Sequence, residues 1–598
     1  MHPSFRGLRV ALGSLSASLL ALPIAQAQAA PLQTAESEHG MVATVNNLAS
    51  QVGVDILKQG GNAVDAAVAV GFALEVVYPY AGNLGGGGFS TIHLANGKNV
   101  FIDYRETAPA AATRDMYLGK DGKPLPFKDP QGYFIGWRAS GVPGSVAGFA
   151  LALERYGSGK FTWAQLIEPA RKLAAEGHVM TSFNANLLKR QAPTLAQYED
   201  SKRIYLNGGA LWKEGDLFKQ PDLAATLERL QNIGPREFYE GETAHKIADA
   251  MAAHGGTISY EDLKHYKAVE RAPLVGHYRG YDVITAPPPS SGGIVIMQML
   301  GMIQPFDVNK LGVNSPARYH LFIEAMRRGY RDRAAYMGDP DFVKVPTEGL
   351  LDPGYLAGLI KSFDPNRATP SAGLQPGKPK GWEAIAALEA EAGPKKVRES
   401  HETTQYSIID ADGNAVSTTY TLNGPFGSCV TIPGTGLLMN DEMGDFAAKP
   451  GVANAFGLIQ GEADAIVPRK RPLSSMSPSV VLKDGRIFFV TGSPGGSMII
   501  DTVFEVITNV IDFHMSMADA VAAPRFYHQW MPDTVTTESG IPESVIQGLA
   551  AMGHTMTARG PGPVTIAADA ESIMVDPVTG HRIGVSDPRK PDARPIGY

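Results

Sequence analysis

The stretch of sequence on which the fold prediction depends reads Glu399-Ser400-His401-Glu402-Thr403-Thr404-Gln405-Tyr406-Ser407. Its second half opens a run over Thr404–Ile409 that is rich in β-branched and aromatic residues and predicts a strand. Asp412-Gly413 is a turn signal, and residues 416–421 return as the partner strand. The sequence therefore predicts a β-hairpin whose first strand begins directly after Thr403.

The same stretch nearly matches the zinc-protease pattern, in which two histidines are separated by three residues. His401 and Glu402 are present, but Gln405 stands where the second imidazole ligand is required. The glycines at 85–88 lack the spacing of a dinucleotide-binding loop, and residues 157–160 are followed by Phe161 instead of the hydroxyl residue of a phosphate-binding loop. The sequence therefore predicts neither a metal site nor a cofactor site.

Outward from this hairpin, strand pairs and helices alternate along the chain. Further hairpins are predicted at residues 89–104, 479–490 and 573–585. Ser315-Pro316 begins a helix with an apolar side made of Tyr319, Phe322, Ile323, Met326 and Tyr330. Residues 364–380, rich in Pro, Gly and Lys, predict an exposed linker. Antiparallel strands covered by helices indicate an α+β layered architecture.

Composition narrows the class of protein. The chain has 598 residues, 44% hydrophobic and 19% charged, with a net charge of −7 and no long basic run, so nucleic acid is not an expected partner. Arg6 and Arg9, an apolar stretch over 10–25 and small residues up to Ala29 predict a signal peptide at 1–29 and export to the periplasm or medium. A membrane anchor is the poorer interpretation, because the stretch is short and contains Pro23, and no other membrane span is expected.

Three local features suggest a binding site. Residues 492–496 form a glycine-rich corner between a predicted strand and a helix, where backbone N–H groups stabilise a carboxylate or oxyanion. Arg105 lies just past the end of a predicted core strand, and Ser474-Ser475 is a hydroxyl pair in a loop. Cys429 is the only cysteine, so no intramolecular disulfide can form, and a buried, inert thiol is expected. These residues alone indicate an exported α+β enzyme and leave its chemistry open.

A resemblance supplies that chemistry. Residues 399–407 resemble the processing site of γ-glutamyltransferases, which are members of the N-terminal-nucleophile hydrolases. Six further blocks carry the resemblance in the same order, at residues 103–109, 287–293, 338–342, 440–446, 470–478 and 491–496. The resemblance spans nearly the whole chain after the predicted signal peptide.

The resemblance implies a four-layer αββα sandwich built from two fragments of one autoprocessed chain. Cleavage between Glu402 and Thr403 would give a large fragment, 30–402, and a small fragment, 403–598, that pair as a heterodimer. Thr403 would then be the nucleophile, with its new α-amine as the base. The implied donor is a γ-glutamyl compound such as glutathione, and the acceptor is water, an amino acid or a peptide.

The resemblance also implies roles for individual residues. The backbone N–H groups of Gly495 and Gly496 would hold the oxyanion, and Thr421 would orient the nucleophile. Arg105, Ser474 and Ser475 would bind the donor α-carboxylate. Its α-ammonium would face Asp445, with Glu442 and Asn423 nearby.

Two positions depart from the family pattern. Gln405 stands where many members have His, and Phe456 stands where several bacterial members have Tyr in the lid over the pocket, here residues 445–456.

Two other functions remain open on the sequence. One is a glutaryl-cephalosporin-type acylase of the same superfamily, whose substrate lacks the ammonium that the acids at Glu442 and Asp445 would bind. The other is an unprocessed, inactive exported binding protein, for which Gln405 is the only supporting feature.

Overall fold

The computed structural model describes residues 32–382, 403–454, 457–557 and 568–598. The strands are β1 (Gln33–Ser37), β2 (Met41–Thr44), β3 (Gly87–His93), β4 (Asn99–Asp103), β5 (His178–Val179), β6 (Leu217–Phe218), β7 (Val269–Arg271), β8 (Leu274–Tyr278), β9 (Tyr281–Thr285), β10 (Thr404–Ile409), β11 (Ala415–Thr421), β12 (Ser479–Lys483), β13 (Arg486–Thr491), β14 (Phe526–Tyr527), β15 (Thr536–Thr537), β16 (Ser572–Val575), β17 (Arg582–Ser586) and β18 (Arg594–Gly597). The predicted hairpins correspond to β3–β4, β10–β11, β12–β13 and β16–β17, and each is confirmed.

The helices are α1 (Asn47–Lys58), α2 (Ala63–Val77), α3 (Ser145–Tyr156), α4 (Trp163–Glu176), α5 (Ser182–Leu195), α6 (Glu199–Tyr205), α7 (Pro221–Ile233), α8 (Glu237–Glu240), α9 (Glu242–His254), α10 (Tyr260–His265), α11 (Gly292–Ile303), α12 (Val308–Leu311), α13 (Pro316–Tyr336), α14 (Thr347–Leu350), α15 (Pro353–Ile360), α16 (Met498–Ile511), α17 (Met517–Ala522) and α18 (Glu543–Ala551). Helix α13 is the one predicted from Ser315-Pro316: the Ser315 side chain caps it by accepting a hydrogen bond from the Arg318 N–H, and Pro316 occupies its first turn.

Two seven-stranded sheets form the centre of the molecule. Their strand orders are β1-β17-β16-β13-β12-β9-β8 and β18-β2-β10-β11-β3-β4-β7, and every pairing in both sheets is antiparallel. In the second sheet, β10 lies between β2 and β11, with Tyr406 opposite both Thr44 and Thr418. The start of β10, where Thr403 lies, is therefore at the middle of a sheet.

Three apolar clusters show how the layers are stacked. One joins α1, α2 and neighbouring helices to the outer face of the β10 sheet, where Tyr406 and Ile408 point. A second lies between the two sheets and includes Ile409 and Val480. The third joins the other sheet, through Val481 and neighbours, to α11, α13 and α16. The order helix, sheet, sheet, helix confirms the predicted four-layer αββα sandwich.

Both sheets contain strands from before and from after position 403. Strands β10 and β11 are inserted between β2 and β3, while β12 pairs with β9 and β17 pairs with β1. A chain cut at 402–403 would therefore have its two parts joined by strand pairing on several edges, without a disulfide. The single cysteine, Cys429, is buried, and burial raises the pKa of its thiol to about 12, as expected for an inert side chain.

The prediction of an exposed linker at 364–380 is only partly right. Much of it is exposed, but Ser371 is fully buried, where its N–H donates to Asp533 Oδ2 at 2.8 Å and its carbonyl accepts from Trp530 Nε1 at 3.0 Å. Composition indicated an absence of regular structure and could not reveal these tertiary contacts. The predicted signal peptide, Glu402 and Phe456 lie outside the described residues. Within the described ranges, none of the helices has both the length and the apolar character needed to cross a membrane.

Candidate active site

One pocket gathers the residues that the sequence singled out. It is lined by Arg105, Arg333, Thr403, Thr421, Asn423, Glu442, Asp445, Asn454, Leu458, Gln460, Leu473, Ser474, Ser475, Met476, Gly496, Ser497 and Ile499. Of the expected catalytic and binding residues, Gly495 alone is not in the lining, and it directly precedes Gly496. The open space among these side chains is about 20 Å³, room for about one water molecule. A donor can therefore enter only if side chains in the pocket move.

Thr403 lies at the bottom of this pocket, at the entrance to β10. Its residue is 5% exposed, and its Oγ1 donates a hydrogen bond to Oγ1 of Thr421 at 3.2 Å. Thr421 ends the neighbouring strand β11, and its Oγ1 also accepts from the Asn423 N–H at 2.7 Å. The pairing of the two strands thus fixes the position of the Thr403 hydroxyl.

The glycine-rich corner lies beside Thr403, between β13 and α16. Gly495 and Gly496 have φ values of 125° and 57°, a region that L side chains rarely adopt and glycine adopts freely. The Met498 N–H already donates to the Gly495 carbonyl at 3.1 Å, so helical bonding begins at this corner. The predicted strand–loop–helix arrangement is confirmed, and it places backbone amides at the positive end of a buried helix.

Arg105 also lines the pocket, where it lies among three acids. This pocket cluster consists of Arg105, Glu106, Glu442 and Asp445, and Arg105 lies two residues past the end of β4 as predicted. Its Nη1 donates to Glu442 and its Nη2 to Asp445, while Glu106 Oε2 lies 3.7 Å from Nη1. One guanidinium therefore faces three carboxyl groups.

The pocket cluster has more carboxyl groups than its single guanidinium can satisfy. Both oxygens of Glu106 and the Oε2 of Glu442 are buried without a hydrogen-bond partner among the described residues. Burial raises the pKa of Glu106 to about 8 and that of Glu442 well above its usual value, and the charge of Arg105 acts against both shifts. A cationic group brought here would stabilise the ionised acids.

The loop carrying Ser474 and Ser475 is held by the 287–293 block. The Ser474 N–H donates to the Pro289 carbonyl at 2.9 Å, and the Ser291 hydroxyl donates to the Ser474 carbonyl at 2.7 Å. This block therefore does not line the pocket, apart from positioning the two serines that do.

Sequence reasoning missed several residues of the pocket, above all Arg333 and Gln460. Arg333 lies three residues after Tyr330 and continues the buried side of α13, so an arginine on an apolar helix face was the available signal. Gln460 Nε2 donates to the Asp445 carbonyl at 2.6 Å and Asn454 also lines the pocket, so the described part of the predicted lid, residues 445–454, lies against the site.

Gln405, which stands where many family members have His, lies in the space between the two sheets. Its Oε1 accepts from Thr419 Oγ1 at 2.6 Å, its Nε2 donates to Ser417 Oγ at 3.0 Å, and its amide group fills the room left by Gly492. The buried side chain ties β10 to β11 and lies against the start of the glycine-rich corner.

A second charge cluster lies away from this pocket, where α13 meets the loop that carries Asp533. This helix cluster consists of Glu324, Arg327, Arg328 and Asp533. Glu324 belongs to a grouping with His320 and His554 whose potential metal-binding atoms lie within 4.8 Å of one another. However, Glu324 is bonded to Arg327 at 3.2 Å and to Arg328 at 2.5 Å, and two adjacent guanidinium groups oppose the binding of a cation.

Comparison with known proteins agrees with this geometry. A profile of the gamma-glutamyltranspeptidase family matches residues 49–595. A glutathione hydrolase proenzyme of Escherichia coli is 46% identical over 563 residues, which cover 94% of this chain and 92% of the relative. The crystal structure of Helicobacter pylori gamma-glutamyltranspeptidase superposes with a TM-score of 0.53 at 44% identity, covering 55% of this chain and 93% of that one.

An acylase shares the overall fold as well. The crystal structure of a cephalosporin acylase from Bacillus halodurans superposes with a TM-score of 0.80 at 25% identity, over 98% of this chain and 99% of that one. The profile match and the identity to the Escherichia coli proenzyme extend over nearly the whole chain, whose sandwich carries a threonine at the head of a central strand. The chain therefore belongs to the gamma-glutamyltranspeptidase family, within the N-terminal-nucleophile hydrolases.

Proposed function

We propose that this protein is an autoprocessed γ-glutamyltransferase and glutathione hydrolase, with Thr403 as its nucleophile. The observation that carries the proposal is the position of the Thr403 hydroxyl, in the same pocket as Arg105, Glu442 and Asp445. A hydroxyl beside an oxyanion corner suits acyl transfer, and the paired charges opposite it suit a donor that carries both an ammonium and a carboxylate.

The first reaction is cleavage of the chain itself. Thr403 Oγ1 attacks the carbonyl carbon of Glu402, the C–N bond breaks as the nitrogen takes up a proton, and Glu402 is left as an ester on Thr403. Water then hydrolyses the ester to a Glu402 carboxylate and a free Thr403 hydroxyl. No external protease is needed, because the attacking hydroxyl belongs to the residue that follows the scissile bond, and an intramolecular attack replaces a bimolecular encounter. The products are the fragments 30–402 and 403–598.

The second reaction uses the new N-terminus. An α-amine has a pKa near 8, so a fraction of it is unprotonated at neutral pH and accepts the proton of the Thr403 hydroxyl. The oxygen then attacks the γ-carbonyl of the donor, and the N–H groups of Gly495 and Gly496 stabilise the oxyanion. The leaving amine takes the proton, and the γ-glutamyl ester passes to water or to the amine of an amino acid or peptide.

Donor recognition exchanges one set of ion pairs for another. The α-carboxylate takes the place of the acids on Arg105 and is also bound by Ser474 and Ser475. The α-ammonium takes the place of Arg105 on Glu442 and Asp445, with Asn423 nearby. The unsatisfied oxygens of the pocket cluster support this assignment, because they are acceptors without donors among the described residues.

The two fragments stay together as a heterodimer after cleavage. The interleaved strands β2, β10, β11 and β3 support this pairing, since the cut would leave their hydrogen bonds intact. We also propose that the signal peptide at 1–29 directs the protein to the periplasm or the medium. The test is the mass of the large fragment in protein exported by the native cells, which should begin directly after residue 29.

The experiment for the mechanism is intact-mass analysis of purified wild type, Thr403→Ala and Thr404→Val. Thr404 is the matched control, because its hydroxyl is buried without a partner among the described residues and Val keeps its shape. Wild type and Thr404→Val should each give a fragment beginning at Thr403, whereas Thr403→Ala should remain one chain. A wild type that stays uncut after prolonged incubation would instead support the inactive binding protein.

A pair of chromogenic donors tests the substrate class. We expect the processed protein to hydrolyse a γ-glutamyl anilide much faster than a glutaryl anilide, which lacks the α-ammonium. The structural likeness to the acylase makes the reverse preference the competing result. Turnover of the glutaryl anilide alone would show that the nucleophile is right and the donor wrong.

A further inference from the structure

Arg333 is a second buried guanidinium in the pocket, with surroundings unlike those of Arg105. It lies near the end of α13 and is 2% exposed. Its Nε donates to Ser291 Oγ at 2.8 Å, its Nη1 to Gln460 Oε1 at 3.1 Å, and its Nη2 approaches Ser475 Oγ at 3.5 Å. All three partners are neutral, and no carboxylate of the described residues forms an ion pair with it.

A buried guanidinium without a counter-ion is costly, because arginine stays protonated in proteins and the interior solvates it poorly. Asp464 and Asp445 act on Arg333 electrostatically without pairing with it, and Gln460, which accepts from Arg333, donates from its Nε2 to Asp464. Burial raises the pKa of Asp464 to about 7, so this acid is only partly ionised at neutral pH. An anion bound in the pocket would offset the charge of Arg333.

The contacts of Arg333 lead to the serine loop by two routes. Ser291 accepts from Arg333 and donates its own hydroxyl to the Ser474 carbonyl at 2.7 Å, which fixes the loop. Ser475 Oγ accepts from Arg333 and is bonded to no acceptor among the described residues. Since Ser475 lines the pocket and its hydroxyl has no acceptor among the described residues, the hydroxyl hydrogen can be donated to a ligand in the pocket.

We propose that Arg333 is a specificity-determining residue, which supplies the uncompensated positive charge that selects donors carrying an α-carboxylate. It acts through the Ser475 hydroxyl and the fixed Ser474–Ser475 loop. The proposal rests on the proposed function, since it assigns a further residue to the same donor pocket.

Charge balance gives the physical reason. In the pocket cluster one guanidinium faces three carboxyl groups, so the charge of Arg105 is already opposed before a carboxylate arrives. With Arg333 at the serine end, the pocket has an acidic pole and a basic pole, which match the two charges of a γ-glutamyl donor. Without Arg333, only Arg105, which is already paired with Glu442 and Asp445, would remain to bind the α-carboxylate.

The test compares two anilides that differ only in the α-carboxylate, γ-glutamyl anilide and 4-aminobutyryl anilide. In Arg333→Met we expect kcat/KM for the γ-glutamyl anilide to fall roughly 10- to 100-fold, the range for hydrogen bonds to charged groups. For the 4-aminobutyryl anilide it should change less than about 3-fold, since no contact to a carboxylate is lost. A loss of turnover alone would not separate a specific role from a structural one, but the ratio of the two substrates does.

Arg331→Met is the matched control. Arg331 is also a buried arginine of α13, but its contacts lie outside the pocket. Its guanidinium packs over the Trp530 ring at 4.6 Å, and its Nε donates to the Leu374 carbonyl at 3.1 Å. We expect this variant to be less stable and to keep the wild-type substrate ratio. Arg333→Lys, which keeps the charge, should restore most of the preference, and the neutral Arg333→Gln should not.

The outcomes separate cleanly. Equal losses on both anilides in Arg333→Met, or no loss on either, would overturn the proposal, as would a Gln variant that behaves like the Lys variant. If Arg333→Met does not fold, the Lys and Gln pair carries the same test. A wild type that hydrolyses neither anilide would instead contradict the proposed function. In that case ligand binding still tests the role of Arg333. The measurement is the rise in melting temperature caused by L-glutamate and by 4-aminobutyrate, which lacks the α-carboxylate. Wild type and Arg333→Lys should distinguish the two ligands, and Arg333→Gln should not.

Discussion

The pocket cluster and the helix cluster are both built from arginine, glutamate and aspartate side chains, and they differ in how completely those side chains are satisfied. In the helix cluster, two arginines face two acids, and Glu324 also accepts from the Thr369 N–H at 3.0 Å. In the pocket cluster, one arginine faces three acids, and three carboxylate oxygens have no hydrogen-bond partner among the described residues. A balanced cluster is complete by itself, whereas an unbalanced one is completed by a ligand.

The pKa shifts have opposite directions in the two clusters. Burial alone would raise the pKa of Glu324, but Arg327 and Arg328 lower it to about 2. In the pocket cluster, burial prevails over Arg105 and raises the pKa of Glu106 to about 8. The first pattern is that of a structural ion pair, and the second is typical of functional sites.

The largest expected effect is on stability, in the helix cluster. Arg327→Met leaves Glu324 buried beside one arginine instead of two, and we expect the free energy of unfolding to fall by roughly 3 to 5 kcal/mol. The kcat/KM of the correctly folded, processed fraction should stay at the wild-type value. Urea denaturation and the anilide assay measure the two quantities.

Arg203→Met is the control for that variant. Arg203 pairs with Asp200 and Asp222, but its side chain is 50% exposed, so its loss should cost at most about 1 kcal/mol. An Arg327→Met protein as stable as Arg203→Met would mean that the helix cluster is not a structural device.

The next largest effect is expected from the equivalent arginine-to-methionine substitution in the pocket cluster. Arg105→Met should lower kcat/KM for a γ-glutamyl anilide by roughly 10²- to 10³-fold, because a charge-assisted bond to the donor is lost. Its effect on unfolding should be smaller than that of Arg327→Met, since the raised pKa values of Glu106 and Glu442 allow these acids to take up protons. Arg114→Met, an exposed pair with Glu462 outside the pocket, is the control and should keep full activity. A destabilisation as large as that of Arg327→Met would remove the distinction between the clusters.

A smaller effect is expected in the pH dependence of stability. The folded pKa of Glu106, about 8, lies above its ordinary 4.5, so the folded state binds more protons between these values and stability falls as pH rises through this window. Glu106→Gln cannot ionise, and at pH 9 we expect it to be more stable than wild type by roughly 1 to 3 kcal/mol. At pH 5 the two proteins should be alike. Melting temperatures across pH 5 to 9 measure this, and a difference independent of pH would contradict it.

The helix cluster, together with His528 beside Asp533 and His554 beside Arg327, should give the reverse slope of stability against pH. Burial lowers the pKa of His528 to about 4 and of His554 to about 3, while Glu324 lies near 2, so the unfolded state binds more protons below pH 6.5. Stability from these groups is therefore lost as pH falls. In Glu106→Gln the loss of stability at low pH should persist, while the loss of stability at high pH should be smaller than in wild type.

The smallest expected effect involves a neutral contact of the pocket. Thr421→Val removes the hydroxyl that accepts from Thr403 at 3.2 Å, and we expect kcat to fall about 10-fold with KM nearly unchanged, the size of one ordinary hydrogen bond. Thr421→Ser, which keeps the hydroxyl, is the matched control. A change in KM alone would assign Thr421 to donor binding instead of nucleophile orientation.

Much of the site could be predicted where a feature depends on neighbouring residues. The β10–β11 hairpin, the corner at 492–496 and the position of Arg105 after β4 all follow from local patterns of apolar, β-branched and turn residues. The roles of Asn423, Glu442 and Asp445 came from the resemblance alone, because nothing in their local sequence distinguishes them from turn residues.

The sequence by itself thus determined the elements, the family and the threonine at the head of β10. Only the tertiary structure decided which charges meet: Arg105 with Glu442 and Asp445, more than 300 positions away, and Arg333 with two serines and a glutamine. It also decided that strands from the two sides of position 403 would pair with each other in both sheets. The physical reason is that backbone conformation responds to adjacent side chains, whereas the energy of a buried charge depends on every element packed around it.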